Sequence, residues 1–273
     1  MHGHGGMQDH IKILFIGDII GKPGRIAVRE LLPRLVGRYS PDIVIANGEN
    51  AAGGFGITPE IAEELRKLQV DVITSGNHIW DKKEVYDYLR AQDRLLRPAN
   101  YPHGSPGVGF CVYECPSGVK VGVVNLIGRV FMDCLDSPFV VGMELVRKVR
   151  EVTPIVVIDF HAETTSEKMA LGWHLDGLAS AIIGTHTHVQ TSDERVLNLG
   201  TAFITDAGMT GPIDSVIGMK KEVILERFLT HMPVRFDVAS KNVELQGVFI
   251  TVDAATGKAA SIERIKEPLG REV

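Results

Sequence analysis

Short apolar runs that each end in polar, metal-capable side chains are the most constraining feature of this sequence. Five such runs occur, and stretches with helical apolar spacing separate most of them. This alternation predicts crossover connections between parallel strands, which is the α/β class of fold. Because the carboxyl ends of parallel strands meet at one edge of a sheet, we expect the polar side chains to lie together. The runs and their endings are Ile11–Ile16 with Asp18, Asp42–Ala46 with Glu49 and Asn50, Asp71–Thr74 with Asn77 and His78, Pro154–Asp159 with His161, and Ala179–Gly184 with His186 and His188.

The middle and the end of the chain add a different kind of pairing. Phe110–Glu114 and Val119–Asn125 are joined by a Pro-Ser-Gly turn, which predicts a β-hairpin. Hairpins among parallel strands indicate either one mixed sheet or two packed sheets, with helices on the outer faces. Further strands are predicted at 202–205, 234–236 and 243–252, and a helix at 220–231.

Composition narrows the class of protein. The 273 residues carry a net charge of −5, so no global basic field attracts nucleic acid or an anionic membrane. No apolar run reaches the ~18–20 residues of a membrane span, and three cysteines without a Cys-x-x-Cys pair predict reduced thiols in the cytoplasm. We expect one domain over 11–273, after a flexible segment 1–10 that an expression tag explains in part. Self-association into a homo-oligomer is left open.

Each polar strand ending has an ordinary explanation when it is considered alone. A Gly-Asp pair after a strand commonly forms a turn, and an isolated asparagine or histidine commonly belongs to a loop or a hydrogen bond. Five endings of the same chemical kind are hard to explain by turns. Carboxylate, amide and imidazole ligands without thiolates suit Mn, Fe or Zn. The pattern therefore predicts a metal centre.

Three motifs at these endings also resemble a known superfamily. Gly76-Asn77-His78, Asp159-Phe160-His161 and Gly184–His188 are similar to signature blocks of the calcineurin-like metallophosphoesterases. Ile20 stands where the first block of that superfamily has His, and Glu49 stands where a bridging Asp is usual. These departures resemble one branch, the YmdB-like bacterial phosphodiesterases acting on cyclic nucleotides, from Ile11 to about Ile265. The segments that carry the closer resemblance are 17–24, 47–54, 76–81, 97–102 and 206–212.

The resemblance implies a fold and a set of metal ligands. The fold would be a metallophosphoesterase-type sandwich of two mixed sheets flanked by helices. The centre would hold two divalent or trivalent metal ions, Fe or Mn, with Zn or Mg as alternatives. Glu49 would bridge the two ions, and Asn50 would replace the missing histidine. The implied ligands are Asp18, Glu49, Asn50 and His188 for the first ion, and Glu49, Asn77, His161 and His186 for the second.

The resemblance also implies a reaction, the hydrolysis of 2′,3′-cyclic nucleotides by attack of a metal-bridging hydroxide. Two cations on one carboxylate lower the pKa of a shared water and neutralise phosphoryl charge. His78 follows a ligand and is predicted to protonate the leaving ribose oxygen as general acid. A broader phosphatase for nucleotides or proteins, and a regulatory protein with a structural metal site, remain as alternatives. Segment 128–138 is predicted to rim the site, and segment 53–56 to be either a phosphate-binding nest or a flexible turn.

Overall fold

Two β-sheets packed face to face, with helices on their outer faces, form the protein in a computed structural model that describes residues 9–270. The strands are β1 His10–Ile16, β2 Asp18–Ile19, β3 Ile43–Asn47, β4 Val72–Thr74, β5 Phe110–Glu114, β6 Lys120–Ile127, β7 Val156–His161, β8 Ala181–Thr185, β9 Arg195–Val196, β10 Ala202–Ile204, β11 Met209–Pro212, β12 Val243–Asp253 and β13 Ala259–Pro268. The helices are α1 Gly21–Tyr39, α2 Pro59–Lys67, α3 Val85–Ala91, α4 Pro138–Arg150, α5 Thr165–His174 and α6 Lys221–Thr230. The predicted α/β fold of two mixed sheets flanked by helices is confirmed.

The strand order places the central parallel strands of both sheets side by side. The seven-stranded sheet has parallel β1, β3 and β4, and β12 runs antiparallel to β1, β11 and β13. The six-stranded sheet has parallel β6, β7, β8 and β10, with β5 and β9 antiparallel at its two edges. Each parallel set therefore delivers its carboxyl ends, and the loops that follow them, to one edge of its sheet.

Side chains that alternate along the central strands fill three apolar layers. Ile13 and Phe15 of β1 pack between the two sheets, whereas Leu14 and Ile16 pack with residues of α1. The outer face of the second sheet is covered by α4 and α5 in the same manner. Strands buried on both faces are apolar at every position, which explains why the sequence shows continuous rather than alternating runs.

The structure differs from the sequence prediction at several elements. The predicted strand at 234–236 is absent, because those residues form no ladder in the described part of the chain. Helix α5 and strand β13 were not predicted. β1 begins at His10, inside the predicted flexible segment, whereas residues 1–8 and 271–273 lie outside the described residues. That 11–273 forms a single domain stays a prediction.

Membrane insertion was also predicted to be absent. Among the described residues, none of the helices combines the length and the apolar character that crossing a membrane requires.

Candidate metal centre

The predicted ligands come together from both sheets. Asp18 lies in β2, directly after β1, and Glu49 and Asn50 follow β3. Asn77 and His78 begin a short 3₁₀ turn, Asn77–Trp80, after β4. His161 ends β7, and the loop after β8 carries the remaining two histidines, His186 and His188.

One group of potential ligands gathers around the Nε2 atom of His161. This nitrogen lies 3.1 Å from Glu49 Oε1, 3.0 Å from Asn77 Oδ1 and 3.0 Å from His186 Nδ1. Glu49, His161 and His186 offer ligand atoms that all lie within 4.8 Å of one another. These four residues are the ligands that the family resemblance implied for the second metal ion.

A second group contains the ligands that the family resemblance implied for the first metal ion. Asp18, Glu49 and His188 offer ligand atoms within 4.8 Å of one another, so Glu49 belongs to both groups. Asn50 lies beside them, but its Nδ2 faces Glu49 Oε1 at 3.0 Å and His188 Nε2 at 3.3 Å. To ligate a cation, the Asn50 amide must turn over and present Oδ1.

Each of the three histidines is held through the ring nitrogen that points away from the cluster. Thr185 donates its only hydroxyl proton to Asp159 Oδ1 (2.7 Å), so His161 Nδ1 must donate to Thr185 Oγ1 (3.0 Å). His186 Nε2 donates to Glu163 Oε2 (3.0 Å), and His188 Nδ1 donates to the Ile217 carbonyl (3.0 Å). Such contacts fix the tautomer and direct the free nitrogen at a metal, as in known metal sites.

The cluster has the chemistry of a cation site. His161 Nε2 and His186 Nδ1 lie 3.0 Å apart, and with their outer nitrogens as donors both can present a lone pair to a cation that replaces the proton on His161. Asp18 Oδ1 is buried and accepts no hydrogen bond. At Gly76 any Cβ would clash with the His161 ring and with Glu49 Oε2, so only glycine permits this close approach. The residues present therefore fit a pair of bound metal ions.

The pKa shifts of the clustered side chains also fit bound metal ions. Burial raises the pKa of Asp18 to about 7. Burial would also raise the pKa of Glu49, but the neighbouring histidines, His161 above all, outweigh it and lower that pKa to about 2. Burial opposes protonation of His161, but the charge of Glu49 outweighs burial and raises the pKa of His161 to about 9. Burial and the charge of His161 lower the pKa of His186 to about 3. A metal ion would take the place of the proton that His161 shares with Glu49.

The loop that carries His186 and His188 has a strained backbone and a buried anchor. Both histidines have left-handed φ angles, 100° and 62°, a conformation that surrounding contacts must stabilise. Thr187 between them donates from its backbone N (3.1 Å) and its hydroxyl (2.7 Å) to Asp206 Oδ2. The buried Lys168 ammonium of α5 donates to the same oxygen at 2.8 Å. Lys168 and Asp206 therefore position two ligands that they do not touch.

We expect Lys168→Met to destabilise the protein by about 3–5 kcal/mol, because it leaves the Asp206 carboxylate buried without its partner. Lys220→Met removes a matched pair at the surface, where Lys220 and Asp237 are both about half exposed, and should cost no more than about 1 kcal/mol. Urea unfolding of both variants measures the difference. Equal midpoints would show that the Lys168–Asp206 pair does not stabilise the fold.

His78 lies beside the cluster without joining it. Its backbone N donates to Glu49 Oε2 (3.2 Å), and its Nδ1 donates to Asp81 Oδ2 (2.9 Å). The edge of the Phe55 ring contacts the imidazole, with the ring centroids 5.0 Å apart. Asp81 and Phe55 thus hold the ring while Nε2 stays available to a ligand. The assignment of His78 as general acid stays a prediction.

A cavity of about 450 Å³ opens beside the cluster, a volume typical of small-molecule sites. No described residue of segment 128–138 lines this cavity, and the prediction that the segment rims the metal site stays a prediction. The residues that line the cavity are Glu49, Asn50, Gly54, Phe55, His78, Glu163, His186, Thr187, His188, Val216, Ile217, Met219, Ile224, Arg227, Phe228 and Phe236. Sequence reasoning missed the wall formed by 216–236, which has no motif and reaches the site only through the fold.

The glycine-rich segment 53–56 forms a tight turn at the same cavity. Gly53, Gly54 and Gly56 have φ angles of 70°, 98° and 77°, which favour glycine. The Gly54 N–H donates to the Asn50 carbonyl (3.2 Å), so it is engaged within the loop. The segment is a turn, and its role as a phosphate-binding nest stays a prediction.

Two packed mixed sheets whose strand ends gather carboxylates, amides and imidazoles define the metallophosphoesterase class that the motifs predicted. The family model described as YmdB-like protein matches residues 14–265, and the chain belongs to this family.

The chain is similar to known proteins over nearly its whole length. A Bacillus subtilis protein named 2′,3′-cyclic-nucleotide 2′-phosphodiesterase is 52% identical over 255 residues, which are 93% of this chain and 96% of that protein. The crystal structure of a protein from Thermus thermophilus matches with a TM-score of 0.89 and 43% identity, covering 95% of this chain and 100% of that one. A structure titled as a novel phosphatase from Mycoplasma pneumoniae also has a TM-score of 0.89, with 36% identity, and covers 96% of this chain and 95% of that one.

Proposed function

We propose that the protein is a metal-dependent phosphoric ester hydrolase that opens 2′,3′-cyclic nucleotides to nucleoside 3′-phosphates. The observation that carries the proposal is the sharing of Glu49 by two groups of metal-capable residues at one end of a cavity. The name of the Bacillus subtilis relative supports the choice of substrate. Carboxylate, amide and imidazole ligands suit Mn, Fe or Zn; the family resemblance favours Fe or Mn, with Zn or Mg as alternatives.

The ligand assignment follows the two groups. Asp18, Glu49, Asn50 and His188 would hold one metal ion, and Glu49, Asn77, His161 and His186 the other. When bound, such a pair of ions supplies Lewis acidity, which activates water and neutralises charge on the phosphoryl oxygens. Asp18, Glu49 and His161 are buried, so their charges are screened less than charges in open solvent.

His78 would complete the reaction as proton donor. Water oxygen forms a bond to phosphorus, the bond from phosphorus to the ribose 2′ oxygen breaks, and that oxygen needs a proton. Asp81 accepts from Nδ1 and orients the ring, which leaves His78 Nε2 to donate. The proton that water loses replaces the one that His78 gives up, so protons balance over the cycle.

We expect about two metal ions per chain in fully active protein, because seven ligands with one shared carboxylate divide into two sites. Elemental analysis of protein purified without added metal gives the stoichiometry. The same preparation is assayed on 2′,3′-cyclic mononucleotides and on nucleoside monophosphates. Full activity with one metal ion per chain would refute the dinuclear centre, and faster turnover of the monoesters would assign the protein to the broader phosphatases.

A further inference from the structure

The cavity has two chemically different linings that meet where Phe55 packs on His78. One lining is formed by the metal-capable residues, including Glu49 and His188, together with His78. The other is an aromatic wall, which we define as Phe55, Phe228 and Phe236. Both linings border one space of about 450 Å³, so a single ligand can contact both of them.

The aromatic wall is assembled from separate segments. Phe55 and Phe236 lie with ring centroids 6.3 Å apart and ring planes 31° apart. The Arg227 guanidinium lies over the Phe236 ring, 5.4 Å from its centroid. Phe228, on α6, is 72% exposed although it lines the cavity. The Phe228 ring is therefore accessible to a ligand that occupies the cavity.

We propose that the aromatic wall is a nucleobase subsite that binds the base of the substrate by stacking; this rests on the proposed function. A cyclic nucleotide carries its phosphodiester at one end and a flat base at the other, which matches the metal-capable and aromatic linings of the one cavity. Aromatic rings bind bases through their faces, and every base has such a face. Arg227 adds a cation that can stack on a base as it stacks on Phe236.

The composition of the wall also determines its selectivity. Around the three phenyl rings, the described lining residues are mainly apolar, with Met219 and Ile224 among them, and Arg227 is the one Lys or Arg. Few groups are therefore available to recognise the edge of a particular base. The subsite should accept all four bases and bind the larger purines better than the pyrimidines.

The experiment compares two substrates of the same reaction. One is 2′,3′-cyclic AMP, and the other is methyl riboside 2,3-cyclic phosphate, which keeps the ring phosphodiester and lacks the base. The measured quantity is the ratio of kcat/KM for the first to kcat/KM for the second. In the wild-type protein we expect a ratio of at least about 10, the effect of one stacked base.

Variants at Phe228 separate stacking from simple apolar contact. Phe228→Leu keeps an apolar side chain without a ring and should lower the ratio several-fold, whereas Phe228→Trp should preserve it. Leu229→Ala is the matched control, because Leu229 lies on the same helix, is 82% exposed and does not line the cavity. It should leave the ratio unchanged.

Three results would overturn the subsite: a wild-type ratio near 1, equal ratios for the Leu and Trp variants, or equal effects of the Phe228 and Leu229 variants. The last result would assign the exposed apolar face of α6 to another role. Failure of the proposed function is distinguishable, because the wild-type protein would then hydrolyse neither cyclic phosphodiester while retaining its metal ions.

Discussion

Glu49→Gln should remove both metal ions at once and abolish phosphodiester turnover. Glu49 is 1% exposed and belongs to both ligand groups, so the loss of its charge affects both sites. An amide has one oxygen to offer and cannot bridge two cations as a carboxylate does. Loss of one fixed transition-state contact already costs about 10²–10³-fold, and losing the bridge should cost at least that much. Elemental analysis and turnover of a cyclic nucleotide measure the two effects.

Two further variants show whether the effect belongs to the bridge. Asn50→Ala should loosen mainly the first ion, because Asn50 is assigned to that ion alone. Glu163→Gln should weaken the second ion by about 10–100-fold, since Glu163 holds only the outer nitrogen of His186. Glu49→Gln is nearly isosteric, and its thermal unfolding reports whether the fold survives. Near-normal metal content and activity in a folded Glu49→Gln protein would place the bridge elsewhere.

The ligands could be predicted from sequence because the strands that carry them are buried on both faces. A continuous apolar run such as Ile13–Ile16 is visible without any knowledge of its neighbours, and so is the polar residue that ends it. The crossover rule then brings the strand ends together. No supporting contact follows from this reasoning, because Glu163 and Ile217 meet the histidines only through the three-dimensional path of the chain.

The missed elements have sequences that do not show their burial. Helix α5 buries Glu167 and Lys168 beside Leu171 and Gly172, so its inner face is not uniformly apolar. Strand β13 pairs with β12 at a sheet edge, and its sequence does not alternate, because two polar residues separate Ile262 from Ile265. Segment 234–236 places a polar residue between two apolar ones, as strands do, but Phe236 packs against Phe55 and Arg227 at the cavity and has no partner strand among the described residues. In each case tertiary contacts override local preference.

His78→Ala should slow hydrolysis of a cyclic nucleotide by about 10²–10⁴-fold, the usual contribution of general acid catalysis. A ribose alkoxide is a poor leaving group and needs a proton as the bond to phosphorus breaks. A nitrophenolate leaves without one, so the same variant should lose far less on a nitrophenyl phosphodiester. The structure makes the variant practicable, because the His78 side chain is 30% exposed and contributes only its backbone N–H to Glu49.

The difference between the two leaving groups is what tests His78 as general acid. Metal content should stay at the wild-type level in His78→Ala, since the imidazole belongs to neither ligand group. His103→Ala changes an exposed histidine outside the cavity and should leave both rates unchanged. Asp81→Asn should show a smaller version of the same selective loss, because it weakens the contact that orients His78 Nδ1. If both substrates slow equally while the metal ions remain bound, His78 positions the phosphate or stabilises its charge, and the proton for the ribose oxygen comes from water.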